Sequence, residues 1–473
     1  MAEKNQIVQG VVVALGTNGE GVIRQDGKTF FVPACLEGEE VSFKVLKVKD
    51  AVGYGKVEEI ITPSASRRTP KCPHFLRCGG CDLQHMSYEA QLAFKRTQVE
   101  NCLKKIGGIS VAVADTVPCE RQYAYRNKLQ LPIGVNKEGR TIVGFYAARS
   151  HRIIPLTRCE IHPDWAENII AALMRYVEKS GARGYDEERK TGELRHLVVR
   201  EIGGKFIVTV VGRGKALPKA DLLIGALKEA VDEFTLYYNR NEKETNVIFG
   251  EKFTLVHGVG FFEANEGGIV YEAGPATFLQ VNETVRERLY KAAVDSVVES
   301  GDEVVIDAYS GGGLMTAMIA KKAKAVYGIE YLREAVDCAD ALKEKNALDN
   351  MQNICGLVEE QIQGVLQKAK GEKTRLIVDP PRAGIHRDAL RAIADSGVDK
   401  ITYISCNPST LSRDLGVLTG SLVEKDGALI KCDKPQGNYE IVSVRPYDMF
   451  PQTKHVETLV CLTRRLDNEL PMA

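Results

Sequence analysis

The sequence predicts a multidomain α/β protein: a small N-terminal β-barrel, a central α+β region and a C-terminal doubly wound parallel sheet. Three observations carry this. Residues 7–61 break into short β-rich runs separated by glycine turns. From about residue 277 onward, strand and helix patterns alternate, as they do where a parallel sheet is covered on both faces. Between these lie a Pro/Ser/Arg linker, Thr62–Pro70, and a tight group of cysteines. The expected units are 1–62, 63–276 and 277–473.

The 473 residues carry 63 basic and 63 acidic side chains. That balance hides a local asymmetry, because residues 61–165 hold 16 Lys and Arg against 8 Asp and Glu. Such an excess suits a phosphate-rich partner, although a solvated face could show it too. The N-terminal MAEKNQIVQG has no apolar signal core, and no apolar run approaches 18 residues, so a soluble, cytoplasmic protein with no membrane partner is expected. In that compartment 12 cysteines suggest a metal, a cluster or catalysis rather than disulfides.

In order, the barrel strands are expected at Ile7–Leu15, Gly19–Arg24, Thr29–Val32, Glu40–Lys49 and Gly53–Ile61. Phe30, Phe31 and Tyr54 are expected on its surface, where they could stack bases. Next comes Cys72-Pro-His-Phe-Leu-Arg-Cys78-Gly-Gly-Cys81, too compact for a zinc ribbon, with Cys159 downstream as a fourth ligand. Three close cysteines and one distant partner suit a [4Fe–4S] cluster held by thiolates. A structural zinc using His74, His85 or His162 is the alternative. Leu83–Ile106 has helical apolar spacing and ends at Gly107-Gly108. Beyond it, His196–Ile202 and Lys205–Gly212 read as a hairpin, Lys219–Val231 as a helix, and Thr235–Asn239, Gly250–Val256 and Gly274–Thr277 as strands. Arg126, Lys128, Arg149, His151 and Arg152 could line a surface that faces RNA.

In the C-terminal unit, strands are expected at Glu303–Tyr309, Ala325–Glu330, Arg375–Val378 and Lys400–Ser405, with helices at Leu314–Ala320 and Arg333–Asn346. Three strand ends are polar: Asp307-Ala-Tyr309-Ser-Gly-Gly-Gly313, Asp379-Pro-Pro-Arg382 and Cys406-Asn-Pro408. A doubly wound sheet brings such ends to one crevice. Ser409 or Thr410 is expected to cap the helix that follows Cys406. The glycine loop lets backbone approach a cofactor, and Glu330 could accept both hydroxyls of a ribose. With no G-x-G-x-x-G pattern, S-adenosylmethionine is favoured over a dinucleotide.

Taken together, these motifs closely resemble the RNA uracil-5-methyltransferases, in particular bacterial 23S ribosomal RNA members. Those carry an N-terminal TRAM barrel, which Gly19-Glu-Gly21 and Phe30-Phe-Val-Pro33 also resemble, and an iron–sulfur cluster. The resemblance implies a Rossmann-like methyltransferase domain with Cys406 as nucleophile and Glu457, in the segment Met449–Glu457, as base. It implies Gln280, Tyr309, Glu330 and Asp379 as S-adenosylmethionine-binding residues and Cys72, Cys78, Cys81 and Cys159 as cluster ligands. It also implies a monomer acting on a loop or single-stranded uridine of 23S ribosomal RNA, and a helix after Cys81 that packs on the catalytic domain. Transfer RNA as substrate, or an RNA-binding role without catalysis, are the alternatives. Two departures stand out: Leu314 where a small polar residue is usual, and an apparent insertion at Gly416–Tyr439.

The chemistry explains the residue types. A thiolate adding to C6 of uracil makes C5 nucleophilic, and a base must then remove the C5 proton. A free thiol with a pKa near ~8.5 is mostly protonated at neutral pH, so Arg382 or the turn at Asn407 is expected to lower it.

Overall fold

The computed structural model describes residues 3–465 except Arg149 and Phe278, so Arg149, one of the basic residues named above, lies outside the described residues. Ile7–Leu15, Gly21–Gln25, Lys28–Val32, Glu40–Lys49 and Val52–Thr62 form a closed five-stranded barrel. It closes where Ile7–Leu15 pairs antiparallel with Glu40–Lys49. Inward-facing Val12, Ile23, Phe30, Val32, Val41, Phe43 and Val45 fill it. Phe30 is therefore core, not a stacking platform: alternation along Lys28–Val32 sends it inward, against Phe43. Phe31 and Tyr54 do share the outer face, with ring centroids 6.1 Å apart.

The helix after the cysteines is shorter than its apolar spacing suggests. Ser87 caps it, its hydroxyl accepting from Ala90 N, so the helix proper is Tyr88–Cys102, followed by one wide turn over Leu103–Gly107. Leu83 and Met86 precede the cap and pack with Leu36 and Phe94 beneath the barrel. Farther along, Val99, Leu103, Ile109 and Val113 join the core of the C-terminal sheet.

The middle sheet has seven strands, in the order Lys252–His257, Phe234–Arg240, Lys205–Gly212, Leu194–Ile202, Lys128–Val135, Thr141–Tyr146, Ile153–Pro155. Helices Trp165–Ser180 and Ala220–Lys228 pack against it around Leu173, Tyr176, Leu223 and Leu227. Gly274–Thr277 is not a strand. The chain instead forms a hairpin of Phe262–Glu266 and Ile269–Ala273 across Gly267-Gly268, both with positive φ.

The C-terminal sheet runs Met351–Cys355, Ala325–Glu330, Val304–Ala308, Thr374–Val378, Lys400–Ser405, Glu457–Arg464, Tyr439–Tyr447. The first five strands are parallel, and the last two are antiparallel to their neighbours. Strand order reverses beside Val304–Ala308, which opens a crevice at the carboxyl ends of the parallel strands. Among the described residues, no helix is long and apolar enough to cross a membrane.

The helix after Cys406 starts earlier than expected. Asn407 caps it, accepting from Ser409 N at 3.1 Å, and Pro408 takes the first helical position, where its missing N–H costs nothing. That helix runs to Thr419. The rest of the apparent insertion is mainly a hairpin, Leu422–Lys425 and Ala428–Lys431, turned at Asp426-Gly427 with both φ values positive.

Candidate active site

One crevice of about 3160 Å³ is lined by Gln280, Tyr309, Glu330, Asp379, Arg382, Cys406, His455 and Glu457. All six non-cluster residues named from the sequence therefore share it. Sheet register explains the meeting of Cys406 and Glu457, 51 positions apart in the numbering. Ser405 pairs with Thr458 in an antiparallel ladder, so the next step of that register sets Cys406 beside Glu457.

Each side chain is held by a local device. Tyr309 ends its strand with φ +69, a left-handed conformation that is costly for a bulky residue. Tyr309 N and Ser310 N both donate to Ile329 O, which folds the glycine loop against the neighbouring strand. Gly311 has φ +55, and a β-carbon there would point into open space, so bare backbone faces the crevice. Glu330 accepts from Gly311 N at 3.1 Å and Leu332 N at 2.9 Å, one bond per oxygen. Each oxygen keeps a lone pair for a ribose hydroxyl. Gln280 is anchored through its carbonyl, which accepts from Arg286. Leu314 begins the helix after the loop and lines the crevice as an apolar contact. These features fit an adenosyl cofactor: an acidic side chain held by backbone, open backbone and an aromatic flank in one cleft.

The electrostatics differ from expectation at the thiol. Burial, reinforced by the negative charges of Glu457 and Asp379, pushes Cys406 up to about 11, while Arg382 opposes this through its charge and a hydrogen bond. The expected lowering is thus not what the free protein shows, because two carboxyl groups and lost hydration outweigh one guanidinium. Burial lifts Asp379 to about 7 and, with the charge of Asp379, holds Glu457 well above the usual carboxylate range. Beneath the glycine loop Asp307, also lifted to about 7 by burial, accepts from the Thr316 hydroxyl at 2.6 Å.

A second, smaller cavity of about 180 Å³ is lined by Cys72, Cys78, Cys81 and Cys159, together with His74 and His162. The cysteine loop is tied to the middle sheet by Gly79 N donating to Tyr146 O, and to the active-site side by Asp82 N and Leu83 N donating to Gln452 O. Among the described residues, no three His, Cys, Asp or Glu side chains converge as a single metal ion would require. The four thiols share the lining of this one cavity. Arg126 lines both cavities.

Two residues, His455 and Arg200, lie beyond those named individually from the sequence, each beside one that was named. Arg382 Nη2 stands 3.1 Å from His455 Nδ1. His455 is two residues before Glu457, and that spacing alone could have nominated it. Lys128 lines the crevice, its pKa lowered to about 8 by burial and by the nearby charges of Arg200 and Arg126. Arg200 is 4% exposed, a burial invisible in the sequence.

Comparison with known proteins places this geometry in context. The family model for tRNA (uracil-5-)-methyltransferase matches residues 87–465. An uncharacterized RNA methyltransferase of Clostridium tetani is 39% identical over 98% of this chain and 97% of its own. Another, from Halalkalibacterium halodurans, is 38% identical over 97% of each chain. Among solved structures, Pyrococcus abyssi tRNA (uracil-54, C5)-methyltransferase in complex with S-adenosyl-L-homocysteine superposes with a TM-score of 0.74 and 27% identity, over 96% of this chain and 99% of that one. The chain thus belongs to the tRNA (uracil-5-)-methyltransferase family and is an S-adenosylmethionine-dependent RNA uracil-5-methyltransferase.

Proposed function

We propose that the protein methylates C5 of a uridine in 23S ribosomal RNA, with Cys406 as nucleophile and Glu457 as base. The observation that carries the residue assignment is the register that sets Cys406 against Glu457 inside the crevice holding Asp379 and the glycine loop. Cys406 reacts as the thiolate, its proton having gone to solvent: Sγ bonds C6, and the C5=C6 electron pair moves toward C5 and O4. S-adenosylmethionine supplies an electrophilic methyl group, which C5 takes. Glu457 then removes the C5 proton, the C5=C6 bond re-forms and the C6–S bond breaks. Asp379, half-protonated near neutral pH, can hold the imide edge of the ring, while Gln280, Tyr309 and Glu330 hold the cofactor. A base reaches such a cleft only after leaving its stack, which favours a loop or single strand.

Cys72, Cys78, Cys81 and Cys159 in this reading hold a [4Fe–4S] cluster with a structural role. The four-thiol cavity and the backbone bonds from Asp82 and Leu83 to the loop before Glu457 support it. Protein purified without oxygen should contain about four iron and about four sulfide per chain. Cys81→Ser should lose them, and full-length protein with a single tightly bound zinc would overturn this part.

A second reading, transfer RNA as substrate, is favoured by the Pyrococcus abyssi relative, whose match spans nearly the whole chain. Nucleoside mass spectrometry separates the two. Unmodified 23S ribosomal RNA and transfer RNA are each incubated with the protein and S-adenosylmethionine. New 5-methyluridine in ribosomal RNA alone is expected; in transfer RNA alone it would overturn the ribosomal assignment.

A further inference from the structure

His455 has a defined tautomer and an unused donor. A guanidinium can only donate, so the 3.1 Å contact from Arg382 Nη2 makes His455 Nδ1 the acceptor. In the neutral ring the proton then sits on Nε2. The ring lines the crevice that also holds Cys406 and Glu457, with Phe450 against it edge-on at 6.1 Å. No protein group bonds Nε2 among the described residues, and it is not enclosed.

Resting on the uracil reading above, we propose that His455 is a further catalytic residue, whose Nε2–H donates a hydrogen bond to uracil O4 as negative charge develops there. The ring order supports O4. With Cys406 at C6 and Glu457 at C5, the next atom is C4, whose oxygen receives the charge when sulfur adds. The donor two residues before Glu457 serves that edge, and Arg382 fixes both its tautomer and its orientation. No proton is transferred: the pair displaced by the C6–S bond rests on the C5–C4–O4 system until C5 takes the methyl group. Burial and the charges of Arg382, Lys454, Lys95 and Arg126 keep the ring neutral, lowering it to about 4. A preorganised donor of this kind stabilises charge in a dry site far better than water does.

The test measures covalent adduct formation between Cys406 and an accepting RNA transcribed with 5-fluorouridine, in which C5 carries no removable proton. His455→Gln places an amide N–H near the position of Nε2, whereas the shorter His455→Asn keeps an acceptor for Arg382 but cannot bring its N–H to that position. The expected result is adduct formation within about tenfold of wild type for H455Q and about 100-fold slower for H455N, with RNA Kd little changed. Equal rates in all three proteins, the reverse ranking, or a loss matched by RNA affinity would overturn the proposal. Should a variant fail to fold, the wild-type pH profile decides. With a neutral donor, adduct formation above about pH 6 rises only in parallel with Cys406 alkylation, whereas an additional limb that follows imidazole titration, still present in Asp379→Asn, would contradict it. If wild type forms no adduct on Cys406, the uracil reading itself fails; unchanged H455N with a normal adduct removes only the role of His455.

Discussion

At the residue scale the controlling fact is the protonation of the crevice. Cys406 is a half-buried thiol pushed up to about 11, and Arg382 is the group that pulls it down. The thiolate fraction therefore rises about tenfold per pH unit until that value is reached. Alkylation of Cys406 by iodoacetamide, read by peptide mass spectrometry, should climb steeply between about pH 7 and 10 without levelling. Arg382→Ala should slow it at every pH, because removing a lowering charge raises the thiol further. A plateau near pH 8 would show an already activated thiolate. The polar strand ends at Cys406 and Asp379-Pro-Pro-Arg382 were legible in the sequence, whereas Glu457 was reached only through the family resemblance. Their titration was not legible, because it depends on how completely the folded sheet excludes water and on carboxyl groups brought from distant segments.

At the scale of elements, the loop between Tyr439–Tyr447 and Glu457–Arg464 is positioned by its neighbours. Lys95, fully buried on the helix Tyr88–Cys102, pairs with buried Asp448 and donates to Phe450 O. Gln91, one helical turn earlier, accepts from Gln452 N at 3.0 Å and donates to Gln452 Oε1 at 3.1 Å. Tyr125 donates to Pro451 O and Asn282 to Met449 O. Removing one member of a buried ion pair leaves the other charge uncompensated, at roughly 3–5 kcal/mol. Lys95→Met should lower Tm by several degrees, and adding Asp448→Leu should restore most of it; thermal unfolding of both variants checks this. No recovery in the double variant would mean that the pair acts mainly through geometry. Periodicity reveals the strands Ala325–Glu330 and Lys400–Ser405, rich in β-branched residues. It says little about Phe262–Glu266, whose sequence FEANE lacks them. Nor can it reveal which strand lies beside Lys400–Ser405, because antiparallel pairing with Glu457–Arg464 is a long-range choice. The Asn407 cap and Pro408 start, by contrast, follow from local chemistry.

Across the whole molecule, the linker before the cysteines and the helix after them tie the barrel to the rest of the chain. Arg67 binds Glu39 of the barrel through two nitrogens, at 2.5 and 2.6 Å, and Gln98 donates to Thr17 O. The crevice is lined by Gly79, Tyr146 and Lys128 of the middle region, by Cys406 and by Leu429 on the hairpin. Lys128 sits within it and carries its charge only below about pH 8. RNA affinity should fall as pH rises through that value. Lys128→Ala should remove this dependence and reduce the slope of log K against log salt by about 1, as loss of one phosphate contact does. Titrations at several salt concentrations and two pH values measure both. An unchanged slope would mean that Lys128 faces no phosphate.

The most direct test of the account is to stop the reaction after methyl transfer. Glu457→Gln keeps the side-chain size but cannot take the C5 proton. Incubated with substrate RNA and S-adenosylmethionine, this variant should accumulate RNA joined to the Cys406 peptide, carrying one added methyl group by mass spectrometry. Adding Cys406→Ala should abolish the adduct. No adduct with Glu457→Gln, an adduct on another residue, or 5-methyluridine formed at the wild-type rate by Cys406→Ala would contradict the assignment of nucleophile and base.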